Sequence, residues 1–242
     1  ILSSATSNSA PVFLTPRRGS DDEEGIQYFV SYTLRDDQLE VRSDILLPDD
    51  FDQKLDERAT HEWIWNYFAS LIPAAERDFL VEFTAISDGR SQILGGVRRT
   101  YEDPDEWALR VDVLDADDRQ ELTYTLLHEF GHLLTLKSSQ VAVDRSVYRN
   151  PEDEEAYQRA QSACPNYFSR DGCSLPASYL NEFFLRYWSA LFTEWQEIDT
   201  AKEDPIYKAN LHEFYKIYAD QFLTEYAATS PEEDIAESLA FF

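Results

Sequence analysis

Residues 117–136 read DDRQELTYTLLHEFGHLLTL, and the reading of that run decides the fold. Acidic residues open it, which suits the partial positive charge of a helix N-terminus, and its apolar residues recur at helical spacing. On a wheel of about 100° per residue, Leu126, Leu127, Phe130, Leu133 and Leu134 share one broad arc, with His128 and His132 on the opposite side. This predicts a helix whose leucines meet the core and whose histidines do not. A histidine alone in a helix is usually a hydrogen-bonded structural residue. Two at i and i+4 bring their imidazoles to one face, about 5–6 Å apart at Cβ.

Upstream of this helix the sequence predicts strands. IQYFVSYTLRDDQLEVRSDILL (residues 26–47) alternates around a polar turn and reads as a hairpin. THEWIWNYFASLIPAAERDF (60–79) has a helical period that Pro73 should kink or divide. LVEFTAIS (80–87), SQILGGVRR (91–99) and EWALRVDVL (106–114) then read as three short strands. Downstream, ASYLNEFFLRYWSALFTEWQEI (177–198) and NLHEFYKIYADQFLTEYA (210–227) each read as an amphipathic helix, and the remainder as helix or loop. The expectation is an α+β fold with a small twisted sheet, mostly N-terminal, an active-site helix and a helical C-terminal lobe. Residues 26–242 would form one domain, with a sheet-containing lobe over 26–117 and a helical lobe over 118–242. Residues 1–25 would be a linker or flexible segment.

Composition narrows the function classes. With 47 acidic and 21 basic residues and a formal charge of −26, the chain would repel a phosphate backbone and offers no basic stripe, so a nucleic-acid partner is not expected. A preference for cationic substrates is a lesser consequence of the same charge. No apolar run approaches the roughly 20 residues of a membrane span. The opening ILSSATSNSAP resembles a linker left after removal of an upstream segment, an expectation of a secreted or extracytoplasmic chain that such a segment could anchor to a surface. Cys164 and Cys173 bracket PNYFSRDG, whose turn residues would let the ends meet in a disulfide. Such a bond persists in oxidising compartments. Two buried free thiols are the alternative.

Glu129 stands between the histidines, so the helix carries HEFGH, an instance of the H-E-x-x-H pattern of zinc-dependent peptidases. Two imidazoles on one face can bind Zn2+, a catalytic zinc keeps an open position for water, and a neighbouring carboxylate can take that water's proton as general base. A third protein ligand is needed. A histidine at position 138 would complete the metzincin pattern, but Ser138 is there. His61 and His212 are weak candidates in aromatic helices. EYAATSPEEDIAESLAFF (225–242) offers a better one. Ser230 reads as an N-cap with Pro231 after it, and Glu233 would complete a capping box. On the wheel, Glu233, Ala236, Glu237 and Ala240 share a face, and the alanines would allow close approach to another helix. Glu233 would then complete the metal site and Glu237 would orient a ligand imidazole. Capping or solvated roles for both remain open, and Glu232 is the alternative if the register is off by one.

HEFGH followed about a hundred residues later by EYAATSPEEDIAES resembles the gluzincin branch of the zincins, nearest to secreted bacterial zinc-binding metallopeptidases and the catalytic domain of anthrax lethal factor. The CPNYFSRDGCSLPASYLNEFF segment and the order of sheet then helices extend the likeness to the secreted group over much of residues 60–242. The resemblance implies a zinc metallopeptidase acting on a peptide or protein substrate, with Glu233 as ligand and Glu237 as its outer partner. Thermolysin-type gluzincins carry aspartate where Glu237 stands. It also implies that the Tyr226 hydroxyl stabilises an oxyanion, and that substrate adds as a strand along a sheet edge, for which SQILGGVRR is the choice. Gly95 and Gly96 there would permit close backbone approach, or mark a bulge. Two other functions stay open: a different zinc-dependent amide hydrolase of the peptide deformylase kind, whose third ligand is an upstream cysteine absent here, and a non-catalytic module that zinc merely stabilises.

Overall fold

A computed structural model of the chain describes residues 26–42, 58–87, 93–170, 172–200 and 205–242. The linker expected over residues 1–25 and the end of the expected hairpin, 43–47, lie outside the described residues. Strands β1 (Gln27–Arg35) and β2 (Gln38–Val41) form that hairpin, turned by Asp36 and Asp37. Both aspartates have positive φ, 48° and 62°, the left-handed pair that a two-residue hairpin turn demands. Helix α1 (Arg58–Leu71) ends before Pro73, and a short 3-10 turn follows at Ala74–Glu76. The proline divides the expected helix, since it has no N–H for the ladder.

Strands β3 (Leu80–Ser87), β4 (Gly95–Arg99) and β5 (Trp107–Asp112) complete a five-stranded sheet of order β2-β1-β3-β5-β4. The β3–β5 pair is parallel and the other pairs are antiparallel, so the sheet is mixed, with β4 at one edge. Alternation sorts its faces. Tyr32, Phe83, Val97, Leu109 and Val111 meet Ile64, Trp65 and Phe68 of α1 and Leu122, Leu126 and Leu133 of helix α2 (Arg119–Leu136). Each such side chain contributes about 1.5–3 kcal/mol by leaving water. The opposite face is polar: Glu82 pairs with Arg42 and Arg98, and the Ser31 and Thr84 hydroxyls are 2.8 Å apart.

Helix α2 forms over the expected residues. Asp118 caps it by accepting from the N–H groups of Gln120 and Glu121. The expectation that its histidine face lies away from the core is corrected: His128 and His132 are 0% and 1% exposed. Helix α2 is buried on both sides because the C-terminal helix covers the face that the leucines leave free.

Beyond α2 the chain departs further from its sequence reading. A second sheet, order β6-β8-β7, is built from β6 (Val141–Val143), β7 (Phe168–Ser169) and β8 (Gly172–Ser174). Strands this short leave no readable alternation. Helices α3 (Arg145–Arg149) and α4 (Glu154–Ala163) lie between β6 and β7. The expected Cys164–Cys173 disulfide is formed, with Cα atoms 5.5 Å apart.

The single helix expected over 177–198 is instead α5 (Tyr179–Phe183), a π-helical turn (Phe184–Trp188) and α6 (Phe192–Asp199). Ser189 explains the break. Its hydroxyl donates to the Leu185 carbonyl at 3.0 Å, occupying the acceptor its own N–H would use, and that N–H reaches back to Phe184 O at 2.9 Å. The helix expected over 210–227 is likewise shorter: α7 (Tyr207–Ile217) stops, and the chain turns so that Phe222 rejoins Phe214 and Trp188 in a second, aromatic core. A 3-10 turn (Ala227–Thr229) leads into the last helix, α8 (Pro231–Phe241). The fold is therefore α+β, and among the described residues no helix is long and apolar enough to cross a membrane.

Candidate metal centre

Helix α8 begins as its sequence reads: Ser230 accepts from the Glu233 N–H, and Pro231 occupies the first turn. That cap leaves the Glu233 carboxylate free to turn toward α2. Its Oε2 lies 3.1 Å from His128 Nε2 and 3.1 Å from His132 Nε2, and the two nitrogens are 3.0 Å apart. Among the described residues this is the one group of three or more His, Cys, Asp or Glu side chains that converges tightly enough for a single ion. The donor set fits zinc, which binds imidazole and carboxylate at about 2.0–2.2 Å. One proton can bridge at most two of these atoms, whereas one cation satisfies all three.

The close approach of the two helices has a local cause. A Cβ on Gly131 would stand 2.9 Å from the Cα of Ala236 and 3.1 Å from its Cβ. Glycine on α2 facing alanine on α8 is what lets Glu233 reach the histidines. The expected small-residue face of α8 is thus used, with Ala236 and Glu237 buried along it.

Burial alone would lower the pKa of His128, but hydrogen bonds that its ring donates to Glu233 and Glu237 and the charge of Glu233 outweigh it and raise the value to about 10. Glu233 shows the reciprocal effect. Burial pushes its carboxyl up, yet the charge of His132 and contacts to both imidazoles hold it well below the usual carboxylate range. Glu129, one residue round the helix, is 1% exposed, and its Oε2 has no hydrogen-bond partner. Burial raises its pKa, against the opposing charges of His132 and His128.

Glu237 lies on the far side of His128, its Oε1 3.3 Å from Nδ1. It also accepts hydrogen bonds from the Tyr124 hydroxyl and, at 2.7 Å, from Thr224 Oγ1. His132 Nδ1 is also buried, and it has no hydrogen-bond partner. The Tyr226 ring centroid is 5.9 Å from that of His128. Burial, the charges of Glu233 and Glu129 and a hydrogen bond to Glu233 push the Tyr226 hydroxyl well above its ordinary pKa.

The other candidates lie elsewhere. His61 is fully buried in the main core, its Nδ1 2.7 Å from the Tyr32 hydroxyl. His212 faces Glu225 at 2.9 Å, and Glu232 accepts from the Tyr167 hydroxyl at 2.7 Å. Tyr124 and Thr224 are the residues that sequence reasoning missed. Tyr124 was within reach of it, because it stands four residues before His128 on the same helical face. Thr224 carries no such signal. Gly95 on β4 lies against α2: a Cβ there would be 2.9 Å from Thr125 Cγ2 and 3.6 Å from Glu129 Cγ. Close approach, not a bulge, accounts for this glycine. No protein-family model, curated protein or solved structure matches the chain.

Proposed function

We propose that this chain is a zinc-dependent metallopeptidase of the gluzincin kind, with a zincin-like arrangement of sheet and active-site helix. The observation that carries the reading is the convergence of His128, His132 and Glu233 on one point, with the unpartnered carboxylate oxygen of Glu129 buried nearby. Three protein ligands are what a catalytic zinc uses, a structural zinc usually taking four.

His128, His132 and Glu233 would hold the metal. Zinc, when bound, lowers the pKa of a coordinated water toward about 7 and polarises a carbonyl. Glu129 takes the proton of the attacking water and passes it to the leaving amine, its carboxylate standing beside the point where the three ligands converge. Tyr226, kept protonated, can donate to the oxyanion that develops on the scissile carbonyl. Glu237 fixes the ring of His128 and favours a proton on Nδ1, leaving Nε2 for the metal. A peptide would add along β4, the sheet edge next to α2. The disulfide supports a secreted chain, since such bonds persist in oxidising compartments.

Burial favours a second reading. His128, Glu129, His132, Glu233 and Tyr226 are all at most 9% exposed, which suits a metal that only ties α2 to α8. Substituting Glu129→Gln separates the two. For a peptidase, hydrolysis of a mixed peptide library falls by about 10²–10⁴-fold while zinc content stays at one ion per chain. Zinc binding without hydrolysis by the unaltered chain would favour the stabilising role.

A further inference from the structure

Glu233 must point at the histidines while its own helix is only 11 residues long, and the packing of Ala236 on Gly131 restrains α8 from one side only. The other side is gripped by aromatic donors. Trp195 Nε1 donates to the Thr229 carbonyl at 3.1 Å, Tyr167 Oη to Glu232 Oε2 at 2.7 Å, and Trp188 Nε1 to Asp234 Oδ2 at 2.8 Å. The donors come from α6, the strand region at β7 and the π-helical turn, so three separate segments close on six consecutive residues, 229–234.

We propose that Tyr167, Trp188 and Trp195 are positioning residues that set the direction of the Glu233 carboxylate; this rests on reading His128, His132 and Glu233 as a metal site. The geometry of a helix gives the reason. Successive residues leave the axis about 100° apart, so Glu232 and Asp234 project to either side of Glu233. Turning α8 either way about its axis pulls one of them off its donor. The Trp195 bond to Thr229 fixes where the helix starts.

Each donor is itself held. Tyr167 stacks on Phe184 with ring centroids 4.6 Å apart, its N–H donates to Asn181 Oδ1 at 3.1 Å, and its carbonyl accepts from the Ser174 N–H at 2.9 Å. The Cys164–Cys173 bond closes the loop from which it projects. Trp188 and Trp195 meet edge to face in the aromatic core at 5.8 Å. The break at Ser189 thus divides a helix whose two parts each supply a donor to residues 229–234, the start of α8 and the turn before it. Direct outer partners of metal ligands typically matter by about 10–100-fold in metal affinity, and donors that act through neighbouring residues are expected at the low end of that range.

The test uses the full chain, with zinc affinity measured by competition against a chromophoric chelator and the coordination geometry read from the visible spectrum after Co2+ replaces zinc. Tyr167→Phe keeps the ring and loses the donor. It is expected to weaken zinc about tenfold and to alter the cobalt spectrum. Glu232→Leu, which removes the acceptor, should repeat that effect, whereas Glu232→Gln, which keeps one, should bind zinc nearly as the unaltered chain does. Melting of the metal-free proteins identifies a variant that does not fold, and the other partner's variant then carries the test. Unchanged affinity and spectrum in the folded variants overturn the positioning role and leave the metal site intact. Absence of zinc binding by the unaltered chain overturns the metal reading and this proposal with it.

Discussion

His61 and His128 are both 0% exposed, yet the protein treats them in opposite ways. His61 has one neutral partner, the Tyr32 hydroxyl, and its Nε2 has none. Burial there lowers its pKa to about 4. His128 is flanked by Glu233 and Glu237, which outweigh the same burial and raise its value to about 10. Burial alone therefore does not decide which form of a histidine is favoured. Neighbouring carboxylates do, because they stabilise the charged form by more than burial disfavours it.

The sharpest way to break that contrast is to make the second environment resemble the first. Glu233→Ala removes the carboxylate that joins the two imidazoles. Structural zinc sites share about 10–16 kcal/mol among four ligands, so losing this one of three should cost roughly 10²–10³-fold in affinity. A chelator competition reads this directly, and affinity within tenfold of the unaltered chain would remove Glu233 from the site.

His61 offers the next effect. Its folded pKa lies below the ordinary 6.5, so the unfolded chain binds the extra proton. Its contribution to stability is intact above pH 6.5 and is lost as pH falls toward about 4. Between pH 7 and pH 5 the loss should reach about 2 kcal/mol. Urea unfolding of the unaltered chain against His61→Gln isolates it, because other titrating groups cancel in the difference. A difference that does not change with pH would mean that His61 is not held neutral.

The smallest effect sharpens the contrast by geometry. Gly131→Ala puts a methyl against the backbone of Ala236. Overpacking of this kind costs about 1–3 kcal/mol, against about 1 kcal/mol of helix propensity regained. The net expectation is a loss of about 1 kcal/mol in thermal or chemical denaturation, with weaker zinc binding as α8 moves off. The same substitution leaves the His61 environment unchanged, since α8 does not cover it. A gain in stability would show that the α2–α8 contact has room to spare.

Local pattern was enough for several elements. The short apolar run at residues 80–87 gave β3, the polar turn gave the hairpin, and the acidic opening at 117–118 and Ser230 marked the starts of α2 and α8. Pattern failed where one side chain redirected the backbone. The hydroxyl of Ser189 diverted the ladder of a helix whose apolar period was otherwise continuous, and strands of two or three residues in the second sheet carried no period to read. In the candidate site, His128, Glu129 and His132 were legible because helical spacing alone gathers them. Glu233 and Glu237 were legible as one face of α8, but not their distance from the histidines.

The sequence by itself determined which groups could meet a metal, since i to i+4 spacing and an N-capped acidic helix are local facts enforced by the backbone. Only the tertiary structure decided that they meet, that the histidine face is buried and that Tyr124, Thr224 and the aromatic donors stand behind the carboxylates. Those contacts join residues as far apart as 113 positions in the chain, and no local rule of spacing reaches so far. Those between α2 and α8 exist because glycine and alanine let the two helices touch.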